Sequence, residues 1–107
     1  MTTFDKREEA FEKKFALEAD LKFKAEARGN RLFALWAAEQ LGLTGDAAVA
    51  YAKEQLAAVF AEGGETAVIR KITGDFAAKG LNFTPDNIRI RWREFFAEAL
   101  AQLKTGG

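Results

Sequence analysis

The chain has 107 residues and is 49% apolar, which suits one folded domain with a modest core rather than a disordered polymer. Its sixteen lysines and arginines balance its sixteen aspartates and glutamates, so no global field draws it to nucleic acid or to an anionic membrane. It contains no cysteine and no histidine, which excludes disulfides, thiolate and imidazole metal sites, and Ser-His or Cys-His nucleophiles.

The first 28 residues hold 14 of the chain's 32 charges. Seven are acidic (Asp5, Glu8, Glu9, Glu12, Glu18, Asp20, Glu26) and seven basic (Lys6, Arg7, Lys13, Lys14, Lys22, Lys24, Arg28). Phe4, Phe11 and Phe15 fall within about 40° of one another at helical spacing. That stripe is too narrow to offset the entropy of ordering the segment by itself, but it is well shaped for a groove on another protein. Residues 1–19 are therefore expected to be a mobile, partly helical segment projecting from a four-helix bundle over 20–104, with 105–107 a disordered tail. Two bland readings stand beside this one. The three phenylalanines can instead cap one end of the bundle, and the charges can form solvated i, i+4 pairs at Glu9–Lys13, Glu18–Lys22 and Asp20–Lys24.

A first bundle helix is predicted from about Leu21 to Leu41, either starting there or continuing the N-terminal segment, with Leu21, Ala25, Gly29, Leu32 and Trp36 on one face, flanked by Phe33 and Leu35. Gly42 offers the left-handed position after its end, and Leu43 folds back onto the last turn. Thr44 is a plausible N-cap for a second helix, about Gly45 to Glu62, that turns Val49, Ala52, Leu56, Val59 and Phe60 inward. Gly63-Gly64 ends it. The third, about Glu65 to Lys79, groups Val68, Ile69, Ile72 and Phe76, and Gly80-Leu81 repeats the glycine-then-leucine stop. The last has the clearest start, with Thr84 as N-cap, Pro85 at the first helical position and Asp86 after it. Ile88, Trp92, Phe95, Phe96, Ala99 and Leu103 form its buried face. Strand alternation is absent, so the fold class is all-α, with sequential neighbours antiparallel.

Trp36 and Trp92 sit centrally in apolar stripes and are read as core. Gly29 costs about 1 kcal/mol relative to alanine inside a helix. It is either a close-packing site or, with Asn30, a hinge for the charged end. Arg89, Arg91 and Arg93 project in three directions and read as solvated or paired with Glu94 or Glu98. Ile90 points away from the buried face. A runner-up function, beside a general helical adaptor, is a weak phosphate or nucleotide site. Arg70, Lys71 and Arg89 would form it near the start of the last helix, where free N–H groups favour anions.

No Walker loop and no glycine-rich turn between strand and helix is present. No catalytic residue, metal ligand or cofactor is assigned, and the chain is read as no enzyme. No apolar run approaches the length of a membrane span. The N-terminus is unlike a secretory or transit peptide, so a cytoplasmic protein, monomeric when free, is expected.

Several stretches carry a resemblance. Met1-Thr-Thr-Phe-Asp-Lys-Arg-Glu-Glu-Ala-Phe-Glu-Lys-Lys-Phe15, Leu21-Lys-Phe-Lys-Ala25, Asn30-Arg31 and Leu35-Trp-Ala-Ala-Glu-Gln-Leu-Gly-Leu43 resemble the zeta subunit family of alpha-proteobacterial F-type ATP synthases. Tyr51-Ala-Lys53, Val68-Ile-Arg-Lys-Ile72, Asp75-Phe76 and Ile88-Arg89 agree. The resemblance implies a four-helix bundle that blocks ATP hydrolysis. Its N-terminal segment would enter the interface between a catalytic beta and an alpha subunit, against the central rotor subunit gamma. Carried over by position, the partner-binding residues are Thr2, Thr3, Phe4, Asp5, Arg7, Glu8, Phe11, Lys14 and Phe15, with Phe4, Arg7 and Phe11 foremost. One departure is Gly29, where the family is expected to carry arginine.

Overall fold

A computed structural model describes the backbone of residues 3–105 and the side chains of residues 19–105. Those residues form four helices and no strand: α1 (Thr3–Gln40), α2 (Gly45–Val59), α3 (Gly64–Ala78) and α4 (Pro85–Lys104). Each helix packs on its neighbour in the chain, and α4 closes the bundle against α1. The pairs Phe33–Trp92, Gly29–Phe96 and Arg28–Gln102 run in opposite senses along α1 and α4, which are therefore antiparallel.

The predicted stops are built as the residue types require. After α1, Gly42 N–H donates to Glu39 C=O at 2.9 Å and Leu43 N–H to Ala38 C=O at 3.0 Å. Gly42 has φ +78°, a left-handed conformation that a side chain would strain. The same double bond follows α3, from Gly80 to Ala77 and from Leu81 to Phe76. At α4 the Thr84 hydroxyl accepts from Asn87 N–H at 3.1 Å, and the Asn87 side chain accepts from Thr84 N–H at 3.2 Å, closing a capping box. Thr44 is the N-cap of α2 by backbone position, but its side chain makes no cap hydrogen bond.

The core is aromatic at its centre. Phe33 and Trp92 stack at 4.4 Å with 7° between planes, and Trp36 meets Phe76 and Phe83 edge-on, each at 5.7 Å. Around them lie Val68, Ile69, Ile72, Ile88 and Phe95. Trp92 is buried as expected, whereas Trp36 is half-buried and packs on the core from its edge. The α3 face is as predicted, and on α4 Ile88, Trp92, Phe95 and Ala99 are buried, with Phe96 and Leu103 partly so.

Three predicted features are corrected, and one open alternative is decided. On α2, Ala52 is buried and Leu56 and Val59 half-buried as predicted, but Val49 and Phe60 are exposed and the inward side takes in Gln55, flanked by Tyr51 and Ala58. The buried face is thus shifted from the predicted one towards Tyr51 and Gln55. The helix also ends at Val59 rather than Glu62, because Phe60 and Ala61 N–H groups turn to the carbonyls three residues back. On α1 the buried zone extends beyond the predicted face and its flanking Phe33 to Ala34, Ala37, Ala38 and Leu41, since α1 is packed by both α2 and α4. Finally, α1 continues through Gly29 and Asn30 without a break, so no hinge lies there. A Cβ on Gly29 would stand 3.0 Å from Phe96 Cα and 3.2 Å from Phe96 N. The glycine lets two helices approach backbone to backbone, at the position where the family was expected to carry arginine.

Candidate partner-binding surfaces

Of the residues assigned to partner binding, Thr2 and the side chains of Thr3, Phe4, Asp5, Arg7, Glu8, Phe11, Lys14 and Phe15 lie outside the described residues. So do the Glu9–Lys13 and Glu18–Lys22 pairs and the last two residues of the tail. The Asp20–Lys24 pair is formed, at 3.1 Å. The part of α1 that carries this segment is held firmly. Asn30 Oδ1 accepts a 2.8 Å hydrogen bond from Trp92 Nε1, which satisfies the indole inside the bundle, and Arg28 donates to Gln102 at 3.3 Å.

Beside that clamp, α1, α4, the end of α2 and the start of α3 line an open groove of about 430 Å³. Its apolar lining is Val59, Trp92 and Phe96, and its charged rim carries Lys22 and Arg93 against Glu26 and Glu65. Two cations facing two carboxylates give this groove no preference for a charged ligand. Among the described residues no group of three or more acids is placed to hold a metal ion.

The basic residues of the runner-up reading do not make an anion site. Lys71 Nζ lies 3.1 Å from Asp75 and 3.5 Å from Glu54, so two carboxylates already neutralise it. Burial lowers the Lys71 pKa, but the hydrogen bond and charge of Asp75, with Glu54, outweigh it and leave the ammonium strengthened. Arg89 pairs with Asp86 at 3.0 Å, Arg70 is exposed, and the start of α4 is occupied by its own capping box. Arg91 bonds Glu94 at 2.9 Å, as the paired reading has it, and also lies 4.2 Å from the Phe95 ring centre. Ile90 is exposed, 52% of its surface remaining open.

The sequence reading missed one cluster. Tyr51 donates its hydroxyl to Asp75 at 2.8 Å, and the Lys71 ammonium stands 5.3 Å from the Tyr51 ring centre, so α2 and α3 are clasped by Tyr51, Glu54, Lys71 and Asp75. Burial, then the Asp75 hydrogen bond and the nearby negative charges, push the Tyr51 phenol well above its ordinary value. Only the Lys71–Asp75 spacing of four hints at it in one dimension; the partners on α2 are set by packing. Gln55 was also missed. It is 1% exposed, and neither side-chain polar atom has a hydrogen-bond partner.

Fold and surface together define a small all-α bundle that, among the described residues, offers grooves and ion pairs rather than a reactive constellation. The sequence pattern of the ATPase inhibitor subunit zeta family matches residues 1–102, and the chain belongs to that family. A protein solved by solution NMR is 42% identical, with a TM-score of 0.65 over 81% of this chain and 99% of that one. No curated protein matches the chain. No described helix is long and apolar enough to cross a membrane.

Proposed function

We propose that this protein inhibits ATP hydrolysis by an F-type ATP synthase, acting as a binding subunit rather than as a catalyst. The observation that carries the proposal is the family match, which runs over residues 1–102 and so includes the charged, phenylalanine-bearing end. Residues 1–19 are the mobile inhibitory segment, and the bundle over 20–104 is its platform. The segment enters the interface between a catalytic beta and an alpha subunit, beside the gamma rotor, and opposes the closure that hydrolysis needs. Phe4, Arg7 and Phe11 are the main anchors, with Thr2, Thr3, Asp5, Glu8, Lys14 and Phe15 around them. Aromatic and arginine side chains are the usual energetic centres of such contacts, and a mobile segment gives up its freedom only on docking. The site of action is the cytoplasmic face of the membrane-bound enzyme.

The test is ATP hydrolysis by the isolated catalytic head of the synthase with full-length or truncated protein added. Removing residues 1–15 is expected to abolish inhibition while the bundle keeps its helicity. Phe4→Ala and Phe11→Ala are each expected to weaken inhibition by about 30-fold, the equivalent of an interface anchor worth on the order of 2 kcal/mol. Equal inhibition by the truncated protein refutes the role of the N-terminal segment; no inhibition by the full chain refutes the activity itself.

A further inference from the structure

Three consecutive residues of α1 are tied to α4 within one turn. Arg28 donates to Gln102 at 3.3 Å, a Cβ on Gly29 would stand 3.0 Å from Phe96 Cα, and Asn30 accepts from Trp92 Nε1 at 2.8 Å. One turn earlier Ala25 is fully buried, and one turn later Phe33 stacks on Trp92. Towards the N-terminus that grip ends abruptly: none of residues 19–24 is buried, and only Leu21 is half-buried. The backbone nevertheless stays helical through this stretch and back to Thr3, and no glycine or proline stands between Thr3 and Arg28. The Asp20–Lys24 pair, at 3.1 Å, bridges the boundary with the acid on the N-terminal side, the favourable order in a helix.

We propose that residues 25–33 of α1, clamped to α4, are the helical nucleus from which the inhibitory segment takes its helix, so that the bundle strengthens inhibition without touching the synthase. The proposal rests on the functional reading above and deepens it. A helix must first form one turn, which fixes three residues for a single hydrogen bond and is unfavourable by about a thousandfold. Residues 1–19 by themselves are close to the length at which an isolated helix is marginal in water. A helix that grows from a turn already held by tertiary contacts does not meet that penalty, and each further residue adds one hydrogen bond. The cost of the first turn is met when the bundle folds, through the packing of Ala25 and Gly29 and the Asn30–Trp92 bond. The segment then reaches its target partly ordered, and less of its contact energy is spent on ordering it.

Proline at position 22 separates segment from nucleus in the full chain. Lys22 is exposed, and a proline there is tolerated as the start of the helix that follows while it breaks the turn before it. In the free protein, backbone chemical shifts of Lys22→Pro are expected to lose helix before residue 22 and keep it after, with the melting temperature of Lys22→Ala. Binding to the isolated head is measured apart from hydrolysis. Lys22→Pro and a synthetic peptide of residues 1–19 should each bind about 100-fold or more weakly than Lys22→Ala, since both must form a first turn unaided. Joining Glu9 to Lys13 in that peptide by a side-chain lactam supplies a nucleus at a spacing of four and should recover most of the loss. Helix before residue 22 that survives the proline, binding of Lys22→Pro equal to that of Lys22→Ala, or a lactam peptide no tighter than the linear one each overturn the proposal. The two readings fail separately. Tight binding without inhibition by the parent chain sinks the inhibitory role alone, whereas inhibition that Lys22→Pro matches sinks the nucleus alone.

Discussion

Gly29→Ala sets two known effects against each other, and the geometry decides between them. In a helix interior alanine is favoured over glycine by about 1 kcal/mol, so propensity alone predicts stabilisation. The new methyl group, however, would stand 3.0 Å from Phe96 Cα, 3.2 Å from Phe96 N and 3.4 Å from Phe95 O. All three are backbone atoms of α4, which cannot rotate aside as a side chain can. Relief requires the two helices to separate by a few tenths of an ångström along a contact that also holds the Phe33–Trp92 stack and the Asn30–Trp92 bond. Overpacking of this kind costs about 1–3 kcal/mol, so the expected net loss reaches about 2 kcal/mol. Gly74 is the internal control, because it lies inside α3 and a Cβ there would meet nothing within 4 Å. Gly74→Ala should gain up to about 1 kcal/mol. In thermal unfolding followed by circular dichroism, one kilocalorie moves the midpoint of a domain this size by about 4–8 °C, so the two variants should shift in opposite directions. A Gly29→Ala midpoint raised as far as that of Gly74→Ala would refute the close-contact argument.

Three further outcomes follow from the core and the clasp. Trp92→Ala should cost about 3–5 kcal/mol in denaturant unfolding, since it removes a buried ring, its stack on Phe33 and the partner of Asn30; a loss below about 1 kcal/mol would place Trp92 at the periphery. Gln55→Leu should raise stability by about 1–2 kcal/mol, because it replaces two buried polar atoms that have no partner, and a fall would show that the amide is satisfied in solution. Alkaline pH should loosen the clasp between α2 and α3. The Tyr51 pKa is raised above its ordinary 10.0, so the folded state holds that proton more tightly than the unfolded state. The resulting stabilisation is complete below pH 10 and is lost as the pH rises from there towards the folded value. Lys71, raised from 10.5, has the same sign. Melting temperature against pH should fall above pH 10 and fall less steeply in Tyr51→Phe, and identical slopes would refute the assignment.

Much of this protein is determined locally. The stops at Gly42 and Gly80 and the start at Thr84 are legible because each depends on the residue's own conformational range or on a partner three positions away. The inward faces of α3 and α4 are legible because large apolar side chains recur there at helical spacing. The resemblance that names the family lies in the order of residues and needs no coordinates. Only the tertiary structure decided the rest. Alanine-rich α2 carries too little contrast between its sides for periodicity to choose one, so its rotation is set by the Tyr51–Asp75 clasp and by packing against α1 and α3. Whether Gly29 is a hinge or a contact depends on how near α4 comes, a distance between residues nearly seventy positions apart. The Arg28–Gln102 hydrogen bond exists because the end of α4 returns to the middle of α1. Short-range chemistry specifies which helices form and where they stop, while their relative rotation and approach are settled by side chains that meet only when the bundle closes.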